Sequence, residues 1–238
     1  MGGELQAIDR TAADSLIDWW RLAGVDTAVG ETARGWLVSA KAPANQGPTP
    51  PATAPRHEEK PANLAAFQAW LATAAGLPMD RPGAARVSLQ GIEGARIMLL
   101  SDLPAKDGAA ERQPIGGEDW TLAQRMLTAV GLSPEDAYIA SLGCFHSPGA
   151  RFSPDELDAC GAIARDHIRL AKPERLLLFG DAPARALLAE PLARARGRIH
   201  RIEGVRTVAT FHPRWLLQRP SDKALAWRDL LLLMSEGD

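Results

Sequence analysis

Four short runs of this chain are apolar almost without interruption, and helical patterns separate them. Residues 96–100, 137–142, 175–179 and 205–211 lack the strict alternation of a half-exposed strand, so each is expected to be a strand buried on both faces. Residues 63–76 place Leu64, Phe67, Trp70, Leu71 and Ala74 on one helical face and stop at Gly76. Further helical patterns cover residues 121–130, 153–171, 182–188 and 222–234, the last with Ser221 or Asp222 placed as its cap. Strand and helix in alternation predict a parallel sheet with crossover helices on both faces. A ligand of such a sheet sits beyond the carboxyl ends of the strands, which here are residues 101–105, 141–148, 180–181 and 211–213. No internal repeat is visible. The segment that starts at Gly180 is too poor in glycine for a phosphate loop, and Gly91 to Gly94 precedes a strand rather than a helix.

Ahead of this alternation the pattern differs. Residues 11–23 put Leu16, Trp19, Trp20 and Ala23 at helical spacing beside Asp14, Asp18 and Arg21, an amphipathic stripe suited to packing on a partner. Residues 41–61 turn to Pro, Ala, Thr and charge and cannot bury enough apolar surface to offset their ordering entropy. The expected organisation is an acidic helical arm over 1–40, a Pro/Ala-rich linker over 41–61 and one domain over 62–238.

Composition narrows the class. With 46% apolar residues the chain is not disordered throughout, and no apolar run approaches the length of a bilayer span. The N-terminus lacks the basic and then apolar profile of a secretion signal, so a soluble, cytoplasmic monomer is expected. Two cysteines, Cys144 and Cys160, without CxxC spacing argue against a disulfide framework and against a metal site built from thiols alone. The net charge is only −2, but residues 194–223 hold eight Lys or Arg against two acidic residues, an excess that suits a phosphate backbone. Within that stretch an apolar run breaks at His212-Pro213, which sets a histidine at the lip of a strand with Arg214, Arg219 and Lys223 close behind.

Taken in order, the blocks I-M-L-L-S-D-L-P-A, Q-P-I-G-G-E-D-W, Y-I-A-S, P-E-R-L-L-L-F-G-D and F-H-P-R-W-L-L resemble the uracil-DNA glycosylase superfamily, most closely its family 4 branch, over roughly residues 64–234. The resemblance implies a three-layer α/β/α sandwich with a short, mainly parallel central sheet. It implies excision of uracil or another damaged base from DNA, double- or single-stranded, in base-excision repair.

Cleaving a base from its sugar builds positive charge on the sugar and negative charge on the base. The reaction calls for a carboxylate near water and sugar, a donor to the leaving base, an aromatic platform and an amide to read the base edge. By resemblance Asp102 takes the place of the motif glutamate and His212 that of the donor histidine. Ser101, Pro104, Ala105, Ile115 and Ser141 fall at base-binding positions, with Ile115 in place of a stacking phenylalanine and Ser141 in place of the base-reading asparagine. Pro213, Arg214, Trp215, Arg219 and Lys223 fall where the superfamily meets DNA. Trp215 suits either a wedge into the duplex or an anchor for its own loop.

Family 4 members normally carry an iron–sulfur cluster. Its cysteine positions fall here on Ala72, Ala75, Phe145 and Cys160, with Cys144 one residue out of register, so no cofactor is expected. Phe145 and the two alanines are expected to fill the vacated space. His146 is expected to lie in a loop without a fixed partner. The rival reading is a non-catalytic module that holds DNA or a repair partner, with the 1–40 arm docking a second protein through Leu16, Trp19 and Trp20.

Overall fold

The computed structural model describes residues 61–235. The expected arm over 1–40 and nearly all of the expected linker lie outside the described residues. In chain order the elements are α1 (Leu64–Thr73), β1 (Ala85–Arg86), β2 (Ile97–Ser101), α2 (Lys106–Glu111), α3 (Gly117–Ala129), β3 (Ala137–Ser141) and β4 (Phe145–His146). There follow α4 (Pro154–Ala171), β5 (Arg175–Phe179), α5 (Asp181–Leu188), α6 (Leu192–Ala195), β6 (His200–Ile202), β7 (Val205–Thr210), α7 (Pro213–Gln218) and α8 (Lys223–Met234). Short 3-10 turns lie at Pro134–Asp136 and Pro220–Asp222.

A five-stranded sheet in the order β3-β2-β5-β7-β6 forms the middle layer. The first four strands run parallel, with Ser101 beside Ser141 and Leu177 beside Val208. Every residue of β2 and β3 is buried, as expected of strands covered on both faces. Alternate residues feed two cores. Met98, Leu100, Tyr138, Leu176 and Leu178 pack towards Ala164 and Ile168 of α4, whereas Ile97, Leu99, Ile139 and Val208 pack towards Leu127 of α3 and Leu230 of α8. The result is a parallel-sheet α/β sandwich.

Six of these elements escape the sequence pattern, among them the two-residue strands β1 and β4, which pair antiparallel with each other, and the four-residue α6. β6 pairs antiparallel with β7 through a turn in which Glu203 and Gly204 both take positive φ (49° and 81°), the geometry of a tight hairpin. The sheet is thus mainly, not wholly, parallel. The helices α2 and α7, of six residues each, are too short to show a periodicity.

Local sequence fixes the other boundaries. Asn63 caps α1 by accepting from the Ala66 N–H at 2.8 Å. Ser153 and Glu156 form a reciprocal capping box on α4, with Pro154 in the first helical position. The cap expected for α8 is different: Asp222 precedes the helix, but its carboxylate accepts from the Trp215 indole at 2.7 Å, and no side chain caps α8.

Candidate active site

The site begins where β2 and β7 end. In the sheet these strands flank β5, so the residues that leave them approach one another above Gly180. Gly180 takes φ +94°, a conformation that an L side chain rarely adopts, and its N–H donates to the Thr210 carbonyl at 2.9 Å. Asp102 turns out of β2 and His212 turns out of β7, bringing Asp102 Oδ1 within 3.7 Å of His212 Nε2.

His212 does structural duty as well. Its Nδ1 accepts the Arg214 N–H at 3.0 Å and so caps α7, whose first residue Pro213 has no N–H to satisfy. That bond assigns the tautomer: Nδ1 is bare and Nε2 carries the proton, on the side facing Asp102. Burial, assisted by the Arg214 charge, pushes the imidazole down to about 3. It is therefore neutral at pH 7, and its contact with Asp102 sets a polarised N–H against a carboxylate without an ion pair.

The carboxylate has its own support. Burial raises Asp102 above the ordinary aspartate range, while Arg214 and the Leu103 N–H oppose that rise. Arg214 Nη1 lies 3.8 Å from Asp102 Oδ2, and its Nε donates to Asp119 Oδ2 of α3 at 3.2 Å. His146 also has a partner, contrary to expectation: its Nδ1 donates to the Pro104 carbonyl at 2.7 Å and ties β4 to the turn that carries Asp102.

Ser101 Oγ, Asp102 Oδ1 and Ser141 Oγ are buried without a hydrogen-bond partner within the protein. Such groups are rare in native structures, and three on adjacent strand ends suit a polar ligand. A cavity of about 580 Å³ opens beside Asp102, the one of these three residues that lines it, together with Gly180, His212 and Arg214. Leu192, Ala193 and Arg196 line it too, as do Phe211, Trp215 and Gln218. Arg196, anchored by Asp229 at 2.7 Å, covers the Phe211 ring at 4.1 Å from its centroid. Phe211 stacks on Trp215 at 6.2 Å and 15°, and Arg219 lies 4.6 Å from the Trp215 ring. Trp215 is 39% exposed, yet its ring and its N–H are both engaged, which is the geometry of an anchor.

The other expected positions are scattered around this centre. Ser101 is fully buried, Pro104 is buried, and Ala105 precedes α2 as its N-cap residue. Ser141 sits beside Ser101 but lines a different, much smaller cavity with Cys144, Cys160 and His167. Ile115, 2% exposed, packs in the core with Ile97 and Leu99 and does not line the large cavity. Pro213 is buried; Arg219 and Lys223 are exposed, and Lys223 lies by a groove with Leu122 and Trp227. The basic excess is partly spent on carboxylates of the protein itself, since Arg196 pairs with the buried Asp229, Arg214 with Asp119 and, at the surface, Arg198 with Glu190.

Residues 90–231 match the uracil DNA glycosylase superfamily. The chain belongs to this superfamily. It is 25% identical over 152 residues to a type-4 uracil-DNA glycosylase of Pyrobaculum aerophilum, a match covering 59% of this chain and 78% of that enzyme. It is 26% identical over 149 residues to a DNA polymerase of Bacillus phage SP01, covering 61% of this chain but only 16% of the polymerase. Membership carries the sandwich fold and the kinship with enzymes of DNA repair.

The family 4 cluster does not fit this chain. Four thiolates are needed, whereas the chain has two cysteines, both buried, with the Cys160 thiol pushed up to about 12 by burial. Among the described residues no three His, Cys, Asp or Glu are grouped to hold a metal ion. The expected filling needs correction: Ala72 and Ala75 are exposed, and Leu71, Ala74, Leu77, Met79 and Cys144 pack with Phe145 instead. The cavity left beside Cys144 and Cys160 measures only about 20 Å³. His167, which also lines that cavity, shares a hydrogen bond of 2.8 Å with Tyr138 Oη, and Gln68 donates to the same oxygen at 2.7 Å.

Sequence reasoning missed Asp119, Arg196 and Gln218 as neighbours of the site. Asp119 meets Arg214 across 95 positions of sequence, and no local spacing signals such a pair. Phe211 was placed at a strand end, but nothing in the pattern marked its ring as part of a stack.

Proposed function

We propose that this protein is a DNA N-glycosylase that hydrolyses the bond between a damaged base and its deoxyribose, uracil being one such base. The observation that carries the reading is the approach of Asp102 to a neutral His212 at 3.7 Å on the wall of one strand-end cavity. As the glycosidic bond lengthens, the sugar gains positive charge, which the Asp102 carboxylate steadies while it orients the attacking water. The leaving base gains negative charge on its carbonyl oxygen, which would take the His212 Nε2–H as its donor, a proton that at 3.7 Å makes no hydrogen bond to Asp102. A neutral donor suits this work, because it meets developing charge without first binding the proton that a cation would have to keep.

Substrate choice follows from what surrounds the pair. A cavity of about 580 Å³ has room for more than one pyrimidine ring. Ser141 and Ile115, the positions that would read and stack a uracil, do not line it, which supports retargeting towards other or larger bases. The exposed lip formed by Leu217, Gln218 and Arg219 at the end of α7 is the surface that would meet DNA. The displacement of Ser141 and Ile115 also favours a second reading, a module of the same fold that binds DNA without cutting it.

One experiment separates the two. Duplex and single-stranded oligonucleotides carrying uracil, hypoxanthine or an abasic control are incubated with the protein, and abasic sites are cleaved with alkali. Excision of at least one lesion, lowered about a hundredfold or more in Asp102→Asn and in His212→Ala, supports the glycosylase. No product from any lesion refutes it, and binding that weakens steeply with salt would then support the module.

A further inference from the structure

Arg214 reads in the sequence as one more cation of a DNA-facing stretch, but its guanidinium is directed elsewhere. Nε donates to Asp119 at 3.2 Å and Nη1 stands 3.8 Å from Asp102 Oδ2, the oxygen that His212 does not face. We infer that Arg214 is a positioning residue for Asp102: tethered by Asp119 of α3, it holds the carboxylate charged and turned so that its other oxygen faces the cavity beside His212. The inference rests on the proposed function for its catalytic meaning, but its physical content concerns this chain alone.

The electrostatics make the need plain. Asp102 is withdrawn from water, and withdrawal favours the protonated acid, which neither steadies a cationic sugar nor polarises water. The neutral His212 supplies no charge to oppose this. Asp119 is a second anion close by, and Asp107 and Glu118 add negative charge behind it. On the cavity side Asp181 is paired with Arg185, and Arg196 is already committed to Asp229. Arg214 is thus the cation set against Asp102.

The side chain is suited to both tasks. A guanidinium is a planar fork, so one edge can be held by Asp119 while another nitrogen reaches Asp102. Lysine carries the same charge as a point and cannot span two carboxylates in that way. Charge and aim are therefore separable by substitution.

The test follows the Asp102 carboxyl directly in the full chain, by carbon-13 NMR of aspartate-labelled protein with the signal assigned from Asp102→Asn. Wild type, Arg214→Gln and Arg214→Lys are titrated after circular dichroism has verified the fold of each. An opposite charge at this distance typically changes a carboxyl's proton affinity tenfold or more, and Arg214 is partly open to solvent, so Arg214→Gln is expected to bind the Asp102 proton about tenfold more tightly. Arg214→Lys is expected to return most of that change. Where a lesion is excised, the acid limb of kcat/KM should move with the titration, and Arg214→Lys should recover the limb without recovering kcat. An Asp102 titration unchanged in Arg214→Gln overturns the inference. Absence of excision by wild type overturns the proposed function, and the titration still decides this one.

Discussion

Acidification from pH 7 to pH 5 is expected to destabilise this protein through two buried histidines. His167 is enclosed between Phe67 and Tyr138, and burial alone pushes it down to about 3, the same value reached by His212. An unfolded histidine takes its proton near pH 6.5, so between that point and about pH 3 the unfolded chain binds two protons that the folded one refuses. Stability therefore falls as pH falls through this window. Each histidine contributes about 2 kcal/mol between pH 7 and pH 5, or about 4 kcal/mol for the pair. Asp102 and Asp119 act in the opposite sense, because a carboxyl raised by burial protonates first in the folded state, so the comparison of variants with wild type, in which both carboxyls are kept, isolates the histidines. Urea unfolding of wild type, His167→Gln and His212→Gln at both pH values measures the difference. Each substitution should remove about half of the pH dependence, whatever it does to absolute stability. Equal wild-type stability at pH 7 and pH 5, or a variant whose pH dependence matches the wild type's, would refute the assignment.

Two further outcomes concern the walls of the site. Asp229→Ala should cost about 3–5 kcal/mol in urea unfolding, since it leaves the Arg196 guanidinium without its counter-charge and the Thr210 hydroxyl without its acceptor. Replacing Arg196 and Asp229 together by apolar residues should cost less than the sum of the single changes, and strict additivity would show that the pair is not coupled. Phe145→Ala should cost about 3–5 kcal/mol, because the ring is buried among Leu77, Met79 and Leu71. Protein purified anaerobically should show no visible iron–sulfur absorbance, and a band there would overturn the apolar reading of that region.

The strands were legible because nothing else explains them. The run Ile97 to Leu100, apolar at every position, suits a strand covered on both faces, and the sheet buries all of it. Asp102 and His212 could be paired from a distance because each lies just past such a run, where topology gathers strand ends. The short elements were not legible. β6 is held by its hairpin to β7, and α7 by a histidine cap and Pro213, which are tertiary and single-residue causes that leave no periodic trace. Arg214 was read as facing DNA because sequence shows its charge but not Asp119, brought to it by the approach of α3. Ile115 was expected at the base because its position matched a family block, while its burial among Ile97 and Leu99 depends on where α3 packs.

The cap that His212 places on α7 has a bearing on substrate choice. With Nδ1 engaged by the Arg214 amide, the imidazole cannot trade tautomers without loosening the start of that helix. A glycosylase built on such a residue steadies the departing base but has no spare proton to hand over. Departure would then depend on how well the base tolerates leaving as an anion, and discrimination would arise from the acidity of the damaged base more than from the shape of its edge.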